Sequence, residues 1–292
     1  KNSVNQLTGE KVQLYLADMG VKGAGSSHKI GVGEPLGQFY GYISDGLYQV
    51  SDFNYDKASG KYTLKDGIPY RGEKDKVQPG MLKFKNIDGS EDNKITEDDK
   101  TVIGNAFPKF YVGINTTFTY KDFDLSIFLT YSFGNDVLNA TKLTNTRTAL
   151  TNKNVLAAAD WNHRWVTINK ETGALITDPE ELAAANQGKT IACFDDNGSS
   201  DNAVIHSWAV EDGSYLKLSN ITLGYTFPKK IVNKIGLSKL RLYATGNNLL
   251  TWTKYTGYDP EVSTMSNAMT PGVDFGAYPR SRSFVFGVNV AF

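Results

Sequence analysis

The sequence predicts an all-β fold, a segment of an antiparallel transmembrane β-barrel with long extracellular loops and short periplasmic turns. Three observations carry the prediction. Several runs of about ten residues alternate between apolar and small polar side chains, the period-two signature of strands with unlike faces. About ten tilted residues is what a strand needs to cross a bilayer, against five or six in an ordinary sheet. The connections between these runs alternate between very short and very long, as they do in outer-membrane barrels.

In chain order, "KFYVGINTTFTY" sets Phe110, Val112, Ile114, Thr116, Phe118 and Tyr120 on one face and Tyr111, Gly113, Asn115, Thr117 and Thr119 on the other. Lys121 and Asp122 form a two-residue hairpin turn into "FDLSIFLTYSF", where Phe123, Leu125, Ile127, Leu129, Tyr131 and Phe133 share a face. "SNITLGYTF" and "LRLYATGNNLL" repeat the pattern, and "SRSFVFGVNVAF" places Phe284, Phe286, Val288, Val290 and Phe292 together. The polar faces carry Asn, Thr, Ser and Gly, which suit a watery lumen. A soluble sandwich with one wet face would explain the alternation equally well, but not the strand length or the aromatic terminus.

Between Phe133 and Asp212 lies a connection of roughly eighty residues. "PKKIVNKIGLSK" is short and has room for one amphipathic helical turn, and the connection from about Thr251 to Arg282 is long again.

Composition narrows the function classes. The chain has 292 residues, with 31 basic and 31 acidic side chains, so no net field favours nucleic acid or anionic membrane. It holds 16 Tyr, 15 Phe and 28 Gly, a composition typical of all-β proteins. No apolar stretch is long enough for a transmembrane helix. The single cysteine, Cys193, excludes an internal disulfide and a cysteine zinc cage. His28, His163 and His206 show no metal-ligand spacing and read as surface or loop residues. There is no signal peptide, and the opening "KNSVNQLTGEKVQLYLADMG" reads like the interior of a longer protein, so a fragment or processed piece is expected.

Several long stretches, in order, carry a resemblance: "VGEPLGQFYGYISDGLYQ" (Val32 to Gln49), "PGMLKFKNIDGSEDNKITEDDKTVIGNAFPKFYVGINTTFTYKDFDLSIFLTYSFGNDVLNAT" (Pro79 to Thr141), "VEDGSYLKLSNITLGYTFP" (Val210 to Pro228), "LRLYATGNNLLTWTKYTGYDPE" (Leu240 to Glu261) and "DFGAYPRSRSFVFGVNVAF" (Asp274 to Phe292). The chain resembles the C-terminal part of SusC/RagA-family TonB-dependent transporters of Bacteroidetes outer membranes. Lys1 to Ile30 and about Thr146 to Asn202 match poorly. The resemblance implies about the last seven or eight strands of a roughly 22-stranded barrel. It also implies the remaining N-terminal barrel and plug portion, TonB acting through that plug, and a SusD-like surface lipoprotein as lid. The implied cargo is an oligosaccharide or a peptide. It makes the terminal Phe292 the signal read by the barrel-insertion machinery.

The sharpest local motif is "DGSEDNKITEDD". Counted from Asp88, the oxygen ligands of a twelve-residue calcium loop would be Asp88, Ser90, Asp92, the Lys94 carbonyl, Thr96 and Asp99. Asn93 replaces the turn glycine, though Asn tolerates the left-handed conformation, and Asp replaces the bidentate Glu. Members of the resembled family show a tighter "DLNGDG" run, and in an alternative alignment Asn86 and Asp88 lead the loop. A bound Ca2+ and a solvated acidic turn both remain open at this point.

Catalysis finds little support. Asp98-Asp99, Glu180-Glu181 and Asp195-Asp196 are sequence neighbours in loops, not opposed acid and base, and no nucleophile or phosphate-loop motif occurs. Among loop aromatics, Trp161, Trp165, Trp208 and Tyr258 are candidates for stacking on a sugar, with Trp252 and Tyr255 as further candidates or members of an interfacial girdle. The competing reading is a soluble, calcium-stabilised carbohydrate-binding β-sheet module.

Overall fold

The computed structural model of the chain describes residues 2–7, 9, 13–16, 25–146, 154–192, 204–261 and 268–292. Cys193 and the Asp195-Asp196 pair lie outside the described residues. The chain divides into two compact units. The strand unit comprises Phe107–Val137, Glu211–Val262 and Ala277–Phe292, and the loop unit Lys1–Ala106, Leu138–Val210 and Ser263–Gly276.

The strand unit is built on one antiparallel sheet in the order Phe110–Tyr120, Phe123–Phe133, Tyr215–Thr226, Lys239–Thr253, Ser283–Ala291. The strands run to 11, 11, 12, 15 and 9 residues, the membrane-crossing length read from the sequence. Among the described residues this sheet has five long strands, against the seven or eight expected. The strands before Phe110 are six residues or shorter and belong to the loop unit.

Local chemistry sets the register. Tyr120 pairs with Phe123 around Lys121-Asp122, and Lys121 takes φ +52°, a left-handed turn residue. From that turn the ladder runs in step, so Phe118 meets Leu125 and Ile114 meets Leu129 on one face, while Thr117 meets Ser126 on the other. Between Leu218 and Asn220 the third strand slips by one residue against both neighbours. That bulge keeps Leu218 and Ile221 on the same face, opposite Leu129 and Ile127.

The two faces differ as lipid and water differ. Phe284 and Phe286 on the apolar face are 67% and 79% exposed, and Phe118, Leu223, Leu242 and Val288 add to that face. An exposed apolar surface of this kind marks a membrane or partner interface. On the other face side chains bond across strands: Thr130 to Ser219, Thr222 to Thr245 and Asn220 to Asn247, each at 2.8 Å, then Asn247 to Ser283 at 3.1 Å. The short connection holds the expected helical turn, Lys229–Val232, continued by a 3-10 turn and ended by Gly236 at φ +75°.

In the loop unit, Gln38–Tyr42 pairs antiparallel with Lys100–Asn105. Phe39 packs with Leu138, Leu143, Ile205 and Val273 in a fully buried cluster. Gly41 lies where a Cβ would strike the Ile205 carbonyl, and that carbonyl accepts the Tyr42 N–H at 3.0 Å. Two histidines expected as surface or loop residues are core residues here. His28 and His206 are buried, because aromatic neighbours enclose them: Phe39 beside His28, and Phe84 with Trp208 around His206. Only His163 of the three keeps its expected exposure.

Candidate functional site

One concavity of the loop unit is a cleft of about 460 Å³, within the range of small-ligand sites. One wall is the hairpin Phe53–Asp56 with Lys61–Leu64, in which Tyr55 stands directly opposite Tyr62, ring centroids 4.8 Å apart. Its turn is stiffened by Asp56, which accepts the Ala58 N–H at 3.0 Å, and by Gly60 at φ +69°.

The other wall is a hairpin running from Thr167 to Ile176. The Ile176 N–H donates to Thr167 O at 2.9 Å, and Asn169 Oδ1 accepts the Glu171 N–H to shape the turn. The helix Pro179–Ala185 follows, with Pro179 in its first turn and Asp178 accepting the Glu180 and Glu181 N–H groups at 2.8 and 3.0 Å. Asn186 pins this helix beneath the hairpin. Its side chain donates to Val166 O and Leu182 O and accepts the Val166 N–H.

Trp165 forms the floor. It is 1% exposed and packs with Leu47, Ile176 and Leu182. Gly80, at φ +89°, lies flat against the indole, where a Cβ would fall 2.5 Å from ring carbons. Backbone bonds from Gly80 N–H to Tyr48 O and from Tyr48 N–H to Met81 O hold that segment in place. The lining is mostly apolar: Tyr55, Tyr62, Pro79, Met81, Leu175 and Ile176, with Gln78, Thr167 and Thr177 as its polar members.

A second depression of about 500 Å³ is polar, lined by Asp45, Gln49, Asp52, Lys83, Lys189 and Trp208. Its charges are largely spent on each other. Lys83 Nζ lies 3.2 Å from Asp52 and 4.0 Å from Asp45, and Lys189 donates to Trp161 O at 2.9 Å.

The four aromatics proposed for sugar stacking have different surroundings. Trp165 is buried under the cleft and offers no free ring face. Trp161 is half-buried with Lys189 over its ring at 5.9 Å. Trp208 lines the polar depression, stacked on His206 on one side and carrying Lys142 at 4.1 Å from its centroid. Tyr258 is 70% exposed and belongs to the strand unit. Trp252 ends a strand on the apolar face opposite Leu216, whereas Tyr255 is buried. Phe292 is exposed beyond the last strand. Sequence reasoning missed Tyr55, Tyr62 and Gly80; the available signal was two tyrosines placed symmetrically about the polar turn "DKASGK".

The acidic loop closes on itself. Asp99, fully buried, accepts the Ile87 and Asp88 N–H groups on Oδ1 at 2.8 and 3.2 Å and the Thr96 N–H on Oδ2 at 2.8 Å. Asp88 accepts the Ser90 N–H and Asp92 the Lys94 N–H, the latter bond holding the Asp92 carboxyl below its usual range. Asn93 does take the left-handed turn, at φ +55°. Among the described residues no three His, Cys, Asp or Glu side chains converge; of the six loop positions, Asp88, Asp92 and Asp99 turn carboxylate oxygens toward backbone N–H groups of the loop itself. Asp98 is exposed beside Asp99, and Glu180-Glu181 sit in the first turn of a helix, so neither pair opposes an acid to a base. Among the described residues the one close Ser–His contact, Ser27 Oγ to His28 Nδ1 at 2.8 Å, is buried, with His28 Nε2 against Pro271 O.

A sheet of membrane-length strands with one apolar and one hydrogen-bonded polar face defines a segment of an outer-membrane-type β-barrel. No family profile matches the chain. It is 32% identical over 265 residues to TonB-dependent receptor P3 of Formosa agariphila, covering 89% of this chain and 22% of that protein. To TonB-dependent receptor SusC of Bacteroides thetaiotaomicron it is 26% identical over 208 residues, 70% of this chain and 17% of that one. The structure of the RagAB peptide transporter aligns with 99% of this chain and 25% of its own at a TM-score of 0.60 and 18% identity, a likeness of fold. The chain is a barrel segment of the SusC-like TonB-dependent receptor kind, and it spans about a quarter or less of the length of the relatives it matches.

Proposed function

We propose that the chain is part of a TonB-dependent outer-membrane importer of oligosaccharides or peptides that works with a SusD-like surface lipoprotein. The two-faced sheet carries this reading, with Phe284, Phe286 and Val288 toward lipid and the Asn220, Asn247 and Ser283 ladder toward a water-filled lumen. Phe110–Tyr120 and Ser283–Ala291 are the two edges of that sheet. An unpaired edge in hydrocarbon costs several kcal/mol per backbone group, so both edges call for further strands, supplied by the remaining N-terminal barrel. A plug within that barrel would couple to TonB, and the lipoprotein would cover the outer mouth. The test is to tag the full-length protein in its native membrane, extract it in mild detergent and identify what co-purifies by mass spectrometry. Co-purification of a surface lipoprotein supports the reading. Recovery of the protein from the soluble fraction without detergent overturns it.

A further inference from the structure

We infer that the polar depression beside Lys83 binds a neutral saccharide, whose hydroxyl groups bridge the Asp45 carboxylate and the Lys83 ammonium. The inference rests on the importer reading only for making that sugar, and not a peptide, the cargo; binding itself stands on the depression. All of its lining residues belong to the loop unit.

The backbone builds the key pair. Ser44 stands opposite Phe84 and Leu47 opposite Leu82, so Asp45 and Gly46 together face the single residue Lys83. Gly46, at φ +81°, accommodates this bulge, a device that re-aims a neighbouring side chain. Lys83 is held in place: its Nζ donates to Asp52 Oδ2 at 3.2 Å and lies 5.8 Å from the centre of the Tyr48 ring. Asp45 is differently placed. Its side chain is 42% exposed and 4.0 Å from Lys83 Nζ, too far for a hydrogen bond, and no described residue donates to it.

Charge then selects the ligand. Lys83 and Lys189 balance Asp45 and Asp52, so the depression has no net field for an anion or a cation. A carboxylate brought to Lys83 meets two aspartates already beside it, and an ammonium brought to Asp45 meets Lys83. A hydroxyl escapes both penalties, because it accepts from the ammonium and donates its own proton to the carboxylate. The rest of the lining suits the same chemistry. Ser207 Oγ accepts the Ser44 N–H at 3.0 Å and keeps its own O–H to give, and Gln49 and Thr190 add further polar groups. Leu47, Leu82 and Trp208 supply apolar surface for the C–H faces of a sugar ring. A peptide presents one carbonyl and one N–H per residue and would leave most of these polar groups without partners.

The experiment uses the full-length protein in detergent, with the neutral probes maltotriose, cellotriose, xylotriose and mannotriose. Triglycine, a zwitterion, and trigalacturonic acid, an anion, are the comparisons. Binding is read by calorimetry and saturation-transfer NMR. The expected result is saturable binding of at least one neutral trisaccharide and of neither comparison. Asp45→Ala should weaken it about tenfold or more, the worth of a hydrogen bond to a charged group, with an unchanged thermal midpoint because Asp45 bonds to nothing else. Asp45→Asn, which keeps an acceptor oxygen, should lose less. Absence of binding by every neutral trisaccharide overturns the inference. So does binding that Asp45→Ala leaves intact, or tighter binding of either comparison. Uptake by cells tests the importer reading separately. Uptake of a sugar whose binding ignores Asp45 overturns the site and leaves the importer; Asp45-dependent binding without uptake leaves the site and removes the cargo.

Discussion

Asp124 and Arg241 stand 117 residues apart in the chain and meet over Gly224, Arg241 Nε donating to Asp124 Oδ1 at 3.0 Å and Nη2 donating to Oδ2. The strand between them has to carry a glycine at that point, because a Cβ on Gly224 would fall 2.5 Å from Asp124 Oδ1 and closer still to the guanidinium. Three strands are thereby tied on the polar face next to the Lys121-Asp122 turn. Gly224→Val is expected to force the pair apart and lower stability by about 1–3 kcal/mol, the worth of a charge-assisted bidentate contact. Heat-modifiable mobility of the full-length barrel on gels reads this directly. An unchanged unfolding temperature would show that the pair contributes nothing.

At the other end of the same face, Lys217 is 3% exposed and reaches Glu261, which also accepts the Tyr215 hydroxyl at 2.7 Å and lies 3.5 Å from Arg280. Asp259 turns the chain there by accepting the Glu261 N–H at 2.9 Å. The long connection after Thr253 is therefore anchored to the third strand by one buried charge cluster. Removing Lys217 leaves Glu261 with only the more distant, exposed Arg280 to offset its charge. Lys217→Met should cost about 3–5 kcal/mol and expose the 254–261 segment to protease. The double variant Lys217→Met with Glu261→Leu should recover much of that loss, since an apolar pair fills the same space without an unpaired charge. If the double variant is as labile as the single, the cluster is not the anchor.

The contrast between what the sequence disclosed and what it hid follows from range. The strands were legible because alternation is local: Phe110 to Tyr120 declares its two faces with no knowledge of its neighbours. The turn at Lys121-Asp122 and the helical turn in "PKKIVNKIGLSK" were equally local. The cleft was not legible, because Tyr55, Gly80, Trp165 and Leu182 come from four separate segments and only the folded chain brings them together. Trp165 showed in the sequence as a loop aromatic, and the contact with Gly80 that buries it has no sequence signature. His206 misled for the same reason. Nothing near "AVIHSWAV" announces that Phe84 will close over the ring.

That burial has a consequence for acid stability. His206 is fully enclosed, and burial together with the nearby Lys142 ammonium lowers its pKa from 6.5 to about 4. The folded loop unit holds the imidazole neutral while the unfolded chain protonates it, so the unfolded state binds more protons between these values. Stability contributed by the neutral ring is complete above pH 6.5 and is lost as pH falls toward 4, by about 3 kcal/mol in all. A plot of thermal midpoint against pH should therefore slope down through this window. His206→Phe, which keeps an aromatic ring between Phe84 and Trp208, should flatten it. A slope that survives the substitution assigns the acid sensitivity to other groups.

The last prediction separates two ways of closing the acidic loop. If Asp99 closes it by accepting the Ile87, Asp88 and Thr96 N–H groups, the carboxylate is needed and a metal is not. Asp99→Asn turns an N–H2 toward backbone donors and leaves at least one buried N–H without an acceptor, at about 1–3 kcal/mol. Loss of protection at Ile87, Asp88 and Thr96 in hydrogen exchange is the expected signature. Chelation of calcium from the full-length protein is expected to leave exchange at these three amides unchanged. Faster exchange on adding chelator, reversed by calcium and not by magnesium, would assign the closure to a bound calcium ion, because Asp88 and Asp92 would then have to leave their Asx turns to ligate it.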